Sequence, residues 1–432
     1  MHQHKPLVLH FDVNKTIILT DSMDSKTMDI CIREAISDLF WGQSSDNDEK
    51  WEWLGSGTVM SKRPPAVPQD SLTYHDYCKR IIPEKDQRKH VVRGFSKADP
   101  EAQRAMEKLV LQASANMELP EGLKSHIGMD KAGLNKDRYL MLPAIFKLIA
   151  TLVQRQVRFA LFFRSFGQDH EKIRTEWNAF CERRHPTFEK LLQGIGALDG
   201  TVPGVPDKRL DRIHTMFRDD SGPLLALDTF TNGPEEKTWD SWVKTKPKPE
   251  ADTRQGREFL NQKGASCVTG MAEVRQFFQQ TVEDEGTAAV KDDWAWWTWK
   301  KEADDAGKLL VALDGADVLF FDDNIEHGRP HIVDCRESDG SSMSPDRVKQ
   351  VCVKVNPVEA LLNEDHFIEE VVARFGWSGL AMDVEEPAAR YASKEMPTAD
   401  HGAAQQDDED AGSWQASIVN CFACCASRQV RS

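Results

Sequence analysis

The 432-residue chain carries 70 acidic against 55 basic residues, a formal net charge of −15, and 40% of its residues are hydrophobic. That is enough apolar content for a sizeable core in one enlarged domain or two ordinary ones, while acidic charge spread along the chain excludes nucleic acid and other polyanions as favourable partners. The nine cysteines stand mostly alone and form no disulfide framework, which points to reduced thiols in a cytoplasmic protein.

In chain order, the opening MHQHKPLVLHFD lacks a basic region ahead of a long apolar run, so no secretory signal is expected. No apolar stretch approaches the ~20 residues of a membrane span, and no transmembrane segment is expected. Pro6 to Phe11 is a short apolar run that stops at Asp12-Val13-Asn14-Lys15-Thr16, the pattern of a strand buried on both faces that delivers polar groups at its carboxyl end. Lys26 to Trp41 carries apolar residues at three- and four-residue steps and reads as a helix. Residues 1–41 thus open an α/β core.

Residues 42–136 are polar and charged, with Pro64-Pro65 and Pro68 and a helical segment near Asp99 to Ala115; they are expected to form a first cap-type insertion. The core resumes over 137–185 with a helix over Arg138 to Gln154, a strand over Val157 to Phe163 that leads to Arg164-Ser165, and a helix over Asp169 to Arg184. Residues 186–305 are expected to be a second, Trp-rich insertion, holding a weak strand at Leu224 to Leu227, the breaker-rich KTKPKPEAD and the segment DDWAWWTWKKE. The last core piece, 306–376, has a strand over Leu309 to Leu313 ending at Asp314 and one over Val318 to Phe321 ending at Asp322-Asp323-Asn324. Weaker strands at His331 to Val333 and Val351 to Val355 and a helical stretch over Pro357 to Phe375 complete it. Residues 377–432 read as a flexible acidic tail ending in Cys421, Cys424 and Cys425. Strands that alternate with helices imply a parallel, Rossmann-like sheet whose ligand lies beyond the carboxyl ends of the strands.

Four segments, HFDVNKTI, FFRS, GKLLVALD and FFDDN, occur in that order, each at or beside an apolar strand. Together they resemble the haloacid-dehalogenase superfamily, with its strand ending in Asp-x-Asp-x-Thr, its strand ending in Ser or Thr, its lysine, and its strand ending in an acidic pair. The resemblance covers the core pieces and is silent on the two insertions. It implies that Asp12 is a nucleophile forming an acyl-phosphate, that Ser165, with Arg164 and Thr16 beside it, contacts the phosphoryl group, and that Asp12, the Asn14 carbonyl, Asp322 and Asp323 hold Mg²⁺. The superfamily's lysine would balance charge at Asp12; Lys308 is favoured over Lys300 and Lys301.

The pattern departs from the superfamily at Asn14, where phosphatases usually carry a second aspartate as general acid and base. An amide cannot donate and recover a proton, and losing such a group typically costs ~10²–10⁴ in rate. Three readings therefore stand: a phosphatase acting on a small phosphorylated molecule, a phosphate- or metal-binding protein that keeps the fold, and, less favoured, a dehalogenase using Asp12 against carbon. Lys15 is read as solvent-facing. Trp294, Trp296, Trp297 and Trp299 are read first as core and second as pocket lining, and the terminal cysteines first as an inert tail and second as S-acylation sites that would give weak membrane association.

Overall fold

The computed structural model describes residues 5–21, 25–45, 47–55, 67–123, 132, 134, 137–228, 264–326, 330–377 and 380. The chain divides into two units after Met382, and all described residues belong to the first. Pro64-Pro65, KTKPKPEAD, nearly all of the acidic tail and the terminal cysteines lie outside the described residues.

The strands are β1 (Leu7–Asp12), β2 (Trp41–Ser44), β3 (Trp51–Trp53), β4 (Leu72–Thr73), β5 (Phe159–Ser165), β6 (Ile213–Asp219), β7 (Gly222–Ala226), β8 (Cys267–Thr269), β9 (Thr287–Lys291), β10 (Lys308–Val311), β11 (Asp317–Asp322), β12 (Val333–Arg336) and β13 (Cys352–Lys354). The helices are α1 (Met28–Ser37), α2 (Tyr74–Ile81), α3 (Lys85–Gly94), α4 (Pro100–Asn116), α5 (Pro143–Gln154), α6 (His170–Cys181), α7 (Met271–Glu283), α8 (Trp294–Trp299), α9 (Pro345–Val351), α10 (Pro357–Leu362) and α11 (His366–Phe375). The fold is α/β, with a mixed, mostly parallel eight-stranded sheet in the order β13-β11-β1-β5-β9-β6-β7-β8. The run from β13 to β6 is parallel, while β7 and β8 add as antiparallel edge strands.

Alternation along the central strands explains why they read as unbroken apolar runs. Leu7, Leu9 and Phe11 of β1, Leu161 and Phe163 of β5, and Leu319 and Phe321 of β11 enter one core, lined by α1, α5, α6, α10 and α11. Val8, Phe162, Val318 and Phe320 enter a second core on the opposite face, with Phe278 of α7, Trp297 of α8 and Leu310 of β10. With both faces covered, the interiors of these strands are apolar except for His10 of β1 and Arg164 of β5, which meet each other on the second face.

Three expectations need correction. Leu309 to Leu313 does not join the main sheet: β10 pairs in parallel only with β12, as a separate two-stranded sheet packed on the second face. Residues 186–305 are not simply a covering insertion, because they supply β6, β7, β8 and β9 to the main sheet. The described residues of 42–136 contribute no strand to that sheet; with Trp41 they form the small antiparallel sheet β3-β2-β4 and α2 to α4. Their buried side chains Trp51, Tyr74, Val92 and Met106 nevertheless continue the first core. The stretch Pro357 to Phe375 is broken into α10 and α11. Among the described residues no helix is long and apolar enough to cross a membrane.

Candidate active site

Strand β1 lies between β11 and β5, so the loops after these three strands meet at one carboxyl edge. This brings Asp12, Asp322-Asp323 and Ser165 together from positions far apart in the chain.

Asp12 and Asp322 follow the alternation of the second face, and β10 crosses that face with Lys308 as its first residue. The buried Lys308 ammonium bridges the two carboxylates, donating to Asp12 Oδ1 and, at 2.6 Å, to Asp322 Oδ2. Asp322 Oδ1 accepts from the Asn324 backbone N–H at 2.8 Å. Thr16, fully buried, donates its hydroxyl proton to Asp12 Oδ2 at 3.3 Å and accepts from the Asp323 backbone N–H at 3.1 Å. Its hydroxyl links the two loops. Lys15 departs from the solvent-facing reading. It takes a left-handed conformation at φ 57°, and its ammonium lies 2.6 Å from Asp323 Oδ2.

Carboxylate oxygens of Asp12, Asp322 and Asp323 lie within 4.8 Å of one another and could hold a metal ion. The donor set suits a hard divalent cation, since it contains oxygen alone. With all five groups ionised, two ammoniums against three carboxylates leave one negative charge for such a cation to offset. The residues present therefore fit a divalent cation. Burial, with Asp322 and Asp323 adding to it, holds Asp12 well above the usual carboxylate range, against the pull of Lys308. Burial likewise raises Asp323 against the pull of Lys15. Burial disfavours the Lys308 ammonium, but Asp12 and Asp322 outweigh it and keep the group protonated above its ordinary range.

The second half of the edge is a hydrogen-bond chain that ends on the Asp169 carboxylate. Ser165 donates to Asn14 Oδ1 at 2.8 Å and accepts from the Gly167 backbone N–H at 2.8 Å. Asn14 Nδ2 donates to Asp169 Oδ2 at 2.6 Å and to the Thr20 carbonyl at 3.3 Å. A hydroxyl has one proton and an amide nitrogen two, so the donors of Ser165 and Asn14 are all engaged internally.

Arg164 does not take the substrate-facing place expected for it. Its side chain is fully buried, donating in a fork to Asp292, with Nη1 at 2.9 Å from the Leu309 carbonyl and 3.2 Å from His10 Nδ1. Its guanidinium also lies against the Phe278 and Phe320 rings. Arg164 fastens β5 to the end of β9 and to β10. Arg218 of β6, with β9 between it and β5, fastens its strand to the same β10-β12 pair, donating to the Gly307 carbonyl at 2.8 Å and Asp334 at 2.6 Å. These buried cations hold the β10-β12 pair in the position that aims Lys308. Lys300 lies elsewhere, paired with Asp220 at 3.0 Å over the Trp296 and Trp299 rings.

The tryptophans divide. Trp296 and Trp297 are buried, and Trp297 stacks on Phe166 at 5.4 Å, next to the Lys308 ammonium 5.1 Å from that ring. Trp294 and Trp299 are exposed, at 38% and 55%.

Reading the residues in order misses Asp169, Asp292 and Arg218. Asp169 stands just past the strand end and just before α6, the place of an ordinary helix cap, and nothing local marks its contact with Asn14 155 positions away.

Comparison with known proteins finds no family model, no curated protein and no solved structure that matches this chain. The resemblance to the haloacid-dehalogenase superfamily rests on its four segments alone.

Proposed function

We propose that the chain is a Mg²⁺-dependent hydrolase of haloacid-dehalogenase type, acting in the cytoplasm on the phosphate ester of a small molecule. The observation that carries this reading is the buried Lys308 ammonium bridging Asp12 and Asp322 at the carboxyl edge, with Asp323 beside them. Burying a carboxylate triad with two lysines is an unfavourable way to build a core, since each desolvated ion costs several kcal/mol (~3–5 if its partner is removed). Such an arrangement is expected where chemistry uses it.

Asp12, Asp322 and Asp323, with the Asn14 carbonyl, would hold Mg²⁺, whose charge when bound offsets that of the phosphoryl oxygens. The Asp12 carboxylate attacks phosphorus in line; a carboxyl O–P bond forms as the bond to the leaving oxygen breaks. Water then attacks phosphorus, which releases phosphate and restores Asp12. Lys308 fixes the Asp12 carboxylate and balances negative charge through both steps. The leaving oxygen takes its proton from solvent, because position 14 offers an amide. Thr16 and Ser165 act by fixing the loops that carry Asp12 and Asp323.

The engagement of every Asn14 and Ser165 donor favours a second reading, a phosphate- or metal-binding protein without turnover. Hydrolysis of p-nitrophenyl phosphate by the purified chain, in Mg²⁺ and in EDTA beside Asp12→Asn, separates the two. The enzyme reading expects turnover that needs both the cation and Asp12. Calorimetric Mg²⁺ binding with turnover no higher than Asp12→Asn would establish the binding protein instead.

A further inference from the structure

The amide at position 14 and the carboxylate at position 169 form a reciprocal pair. Asp169 is fully buried, and its Oδ2 lies 2.6 Å from Asn14 Nδ2. A carboxylate has only acceptors, so this contact requires the side-chain N–H of Asn14 to face Asp169 and its side-chain oxygen Oδ1 to face Ser165. That fixes the direction of the whole chain from Asp169 through Asn14 to Ser165 and Gly167.

A second observation sets Asp169 apart from an ordinary capping residue. It occupies the N-cap of α6, where an aspartate normally accepts from the helix's first free N–H groups, yet its side chain makes no such bond. Its two oxygens instead receive Asn14 and the Lys172 ammonium, 2.5 Å from Oδ1. The loop held this way, 13–16, carries Lys15 to Asp323 and Thr16 to Asp12. Asp169 thus reaches the reacting carboxylate through Asn14.

We propose that Asp169 is a positioning residue for the Asp12 loop, and that Asn14 is the residue at its position because a carboxylate there would face the carboxylate of Asp169. The assignment rests on the phosphoryl-transfer reading above. It follows that Asn14→Asp, which puts in the aspartate common in the superfamily, should damage this site.

The test is a set of four variants, Asp169→Ala, Asp169→Asn, Asn14→Asp and the exchanged double Asn14→Asp/Asp169→Asn. Each is assayed for kcat and KM on p-nitrophenyl phosphate in Mg²⁺ and for thermal unfolding. Asp169→Ala and Asn14→Asp should each lower kcat by about 10- to 100-fold with KM changed by less than about threefold. Asp169→Asn can still accept from Asn14 through its amide oxygen and should stay within about fivefold of the parent. In the double variant the carboxylate now at position 14 would accept from both Ser165 and the amide now at position 169, and kcat should return to within about fivefold of the parent. Recovery of kcat on exchange is a result that a role in folding alone does not give. Asn14→Asp with undiminished turnover, or an exchanged variant that folds as the parent does yet stays as slow as Asn14→Asp, overturns the positioning role while leaving the phosphoryl reading intact. A parent chain no faster than Asp12→Asn sinks the phosphoryl reading and this assignment with it.

Discussion

Gly307 offers a test of how the site is assembled that touches none of the reacting groups. A Cβ built at this position lies 2.2 Å from the Ile332 carbonyl oxygen, 2.4 Å from its carbon and 2.9 Å from the Val333 nitrogen, all of them backbone atoms that no rotamer change can move. Ordinary carbon contacts begin near 3.4 Å, so Gly307→Ala should push the start of β10 from β12 by roughly 1 Å. The Lys308 backbone N–H, which bonds the same Ile332 carbonyl at 2.7 Å, moves with it. Overpacking of this kind costs ~1–3 kcal/mol, and a shift of ~1 Å in a charge-balancing group costs up to ~10²-fold in rate. The assay pairs urea denaturation with turnover of p-nitrophenyl phosphate at a temperature where the variant is still folded. A lowered urea midpoint with turnover reduced about 10- to 100-fold is expected. Turnover within about twofold of the parent, in a variant destabilised as expected, would show that the placement of Lys308 by β10 does not limit the chemistry.

Other consequences follow from the buried charges. Lys308→Met leaves Asp12 and Asp322 facing each other without their shared cation and should lower stability in EDTA by ~3–5 kcal/mol, with part of the loss recovered on adding Mg²⁺; an unchanged urea midpoint in EDTA would contradict the bridging geometry. Arg164→Gln strips Asp292 of its partner and should lose a similar ~3–5 kcal/mol while leaving KM for the ester unchanged; a raised KM with stability intact would return Arg164 to the substrate. Burial holds the Asp293 carboxyl up to about 7, against an ordinary value of 3.8. The folded chain therefore keeps a proton that the unfolded chain has lost, so this group's contribution to stability falls as pH rises from 3.8 through about 7 and is level above it. The urea midpoint of the parent should fall relative to that of Asp293→Asn as pH rises inside that window, and a difference that is constant with pH would contradict the shift.

How much of this is legible in the sequence depends on whether a residue's neighbours are local. β1, β5 and β11 are readable because strands covered on both faces are almost wholly apolar, His10 being the exception within β1, and the polar residues that end those runs stand out against them. The same rule misplaces Leu309 to Leu313, since an apolar run shows that a strand is buried and says nothing of which sheet takes it. β6 escapes a reading by pattern because His214 and Arg218 break its apolar run, and the acceptors that satisfy Arg218, the Asp305 and Gly307 carbonyls and Asp334, lie far along the chain. β9, with the sequence TAAVK, is short and precedes the tryptophan segment, so the whole of 186–305 looks like an addition to the core. Lys308 is legible as a lysine at the head of a buried apolar run. Asp169 is not, because its position is that of a helix cap and its meaning lies in one contact with Asn14. Lys15 reads as solvated, and only the arrival of Asp323 from the other end of the chain engages it.

The central claim is that Asp12 receives the phosphoryl group. Acid quenching of the chain during turnover of p-nitrophenyl phosphate in Mg²⁺, followed by peptide mass mapping, tests it most directly. The account predicts an acid-stable, hydroxylamine-labile phosphoryl group on the peptide containing Asp12, absent from Asp12→Asn and absent in EDTA. Turnover that persists in Asp12→Asn with no phosphorylated peptide would contradict it.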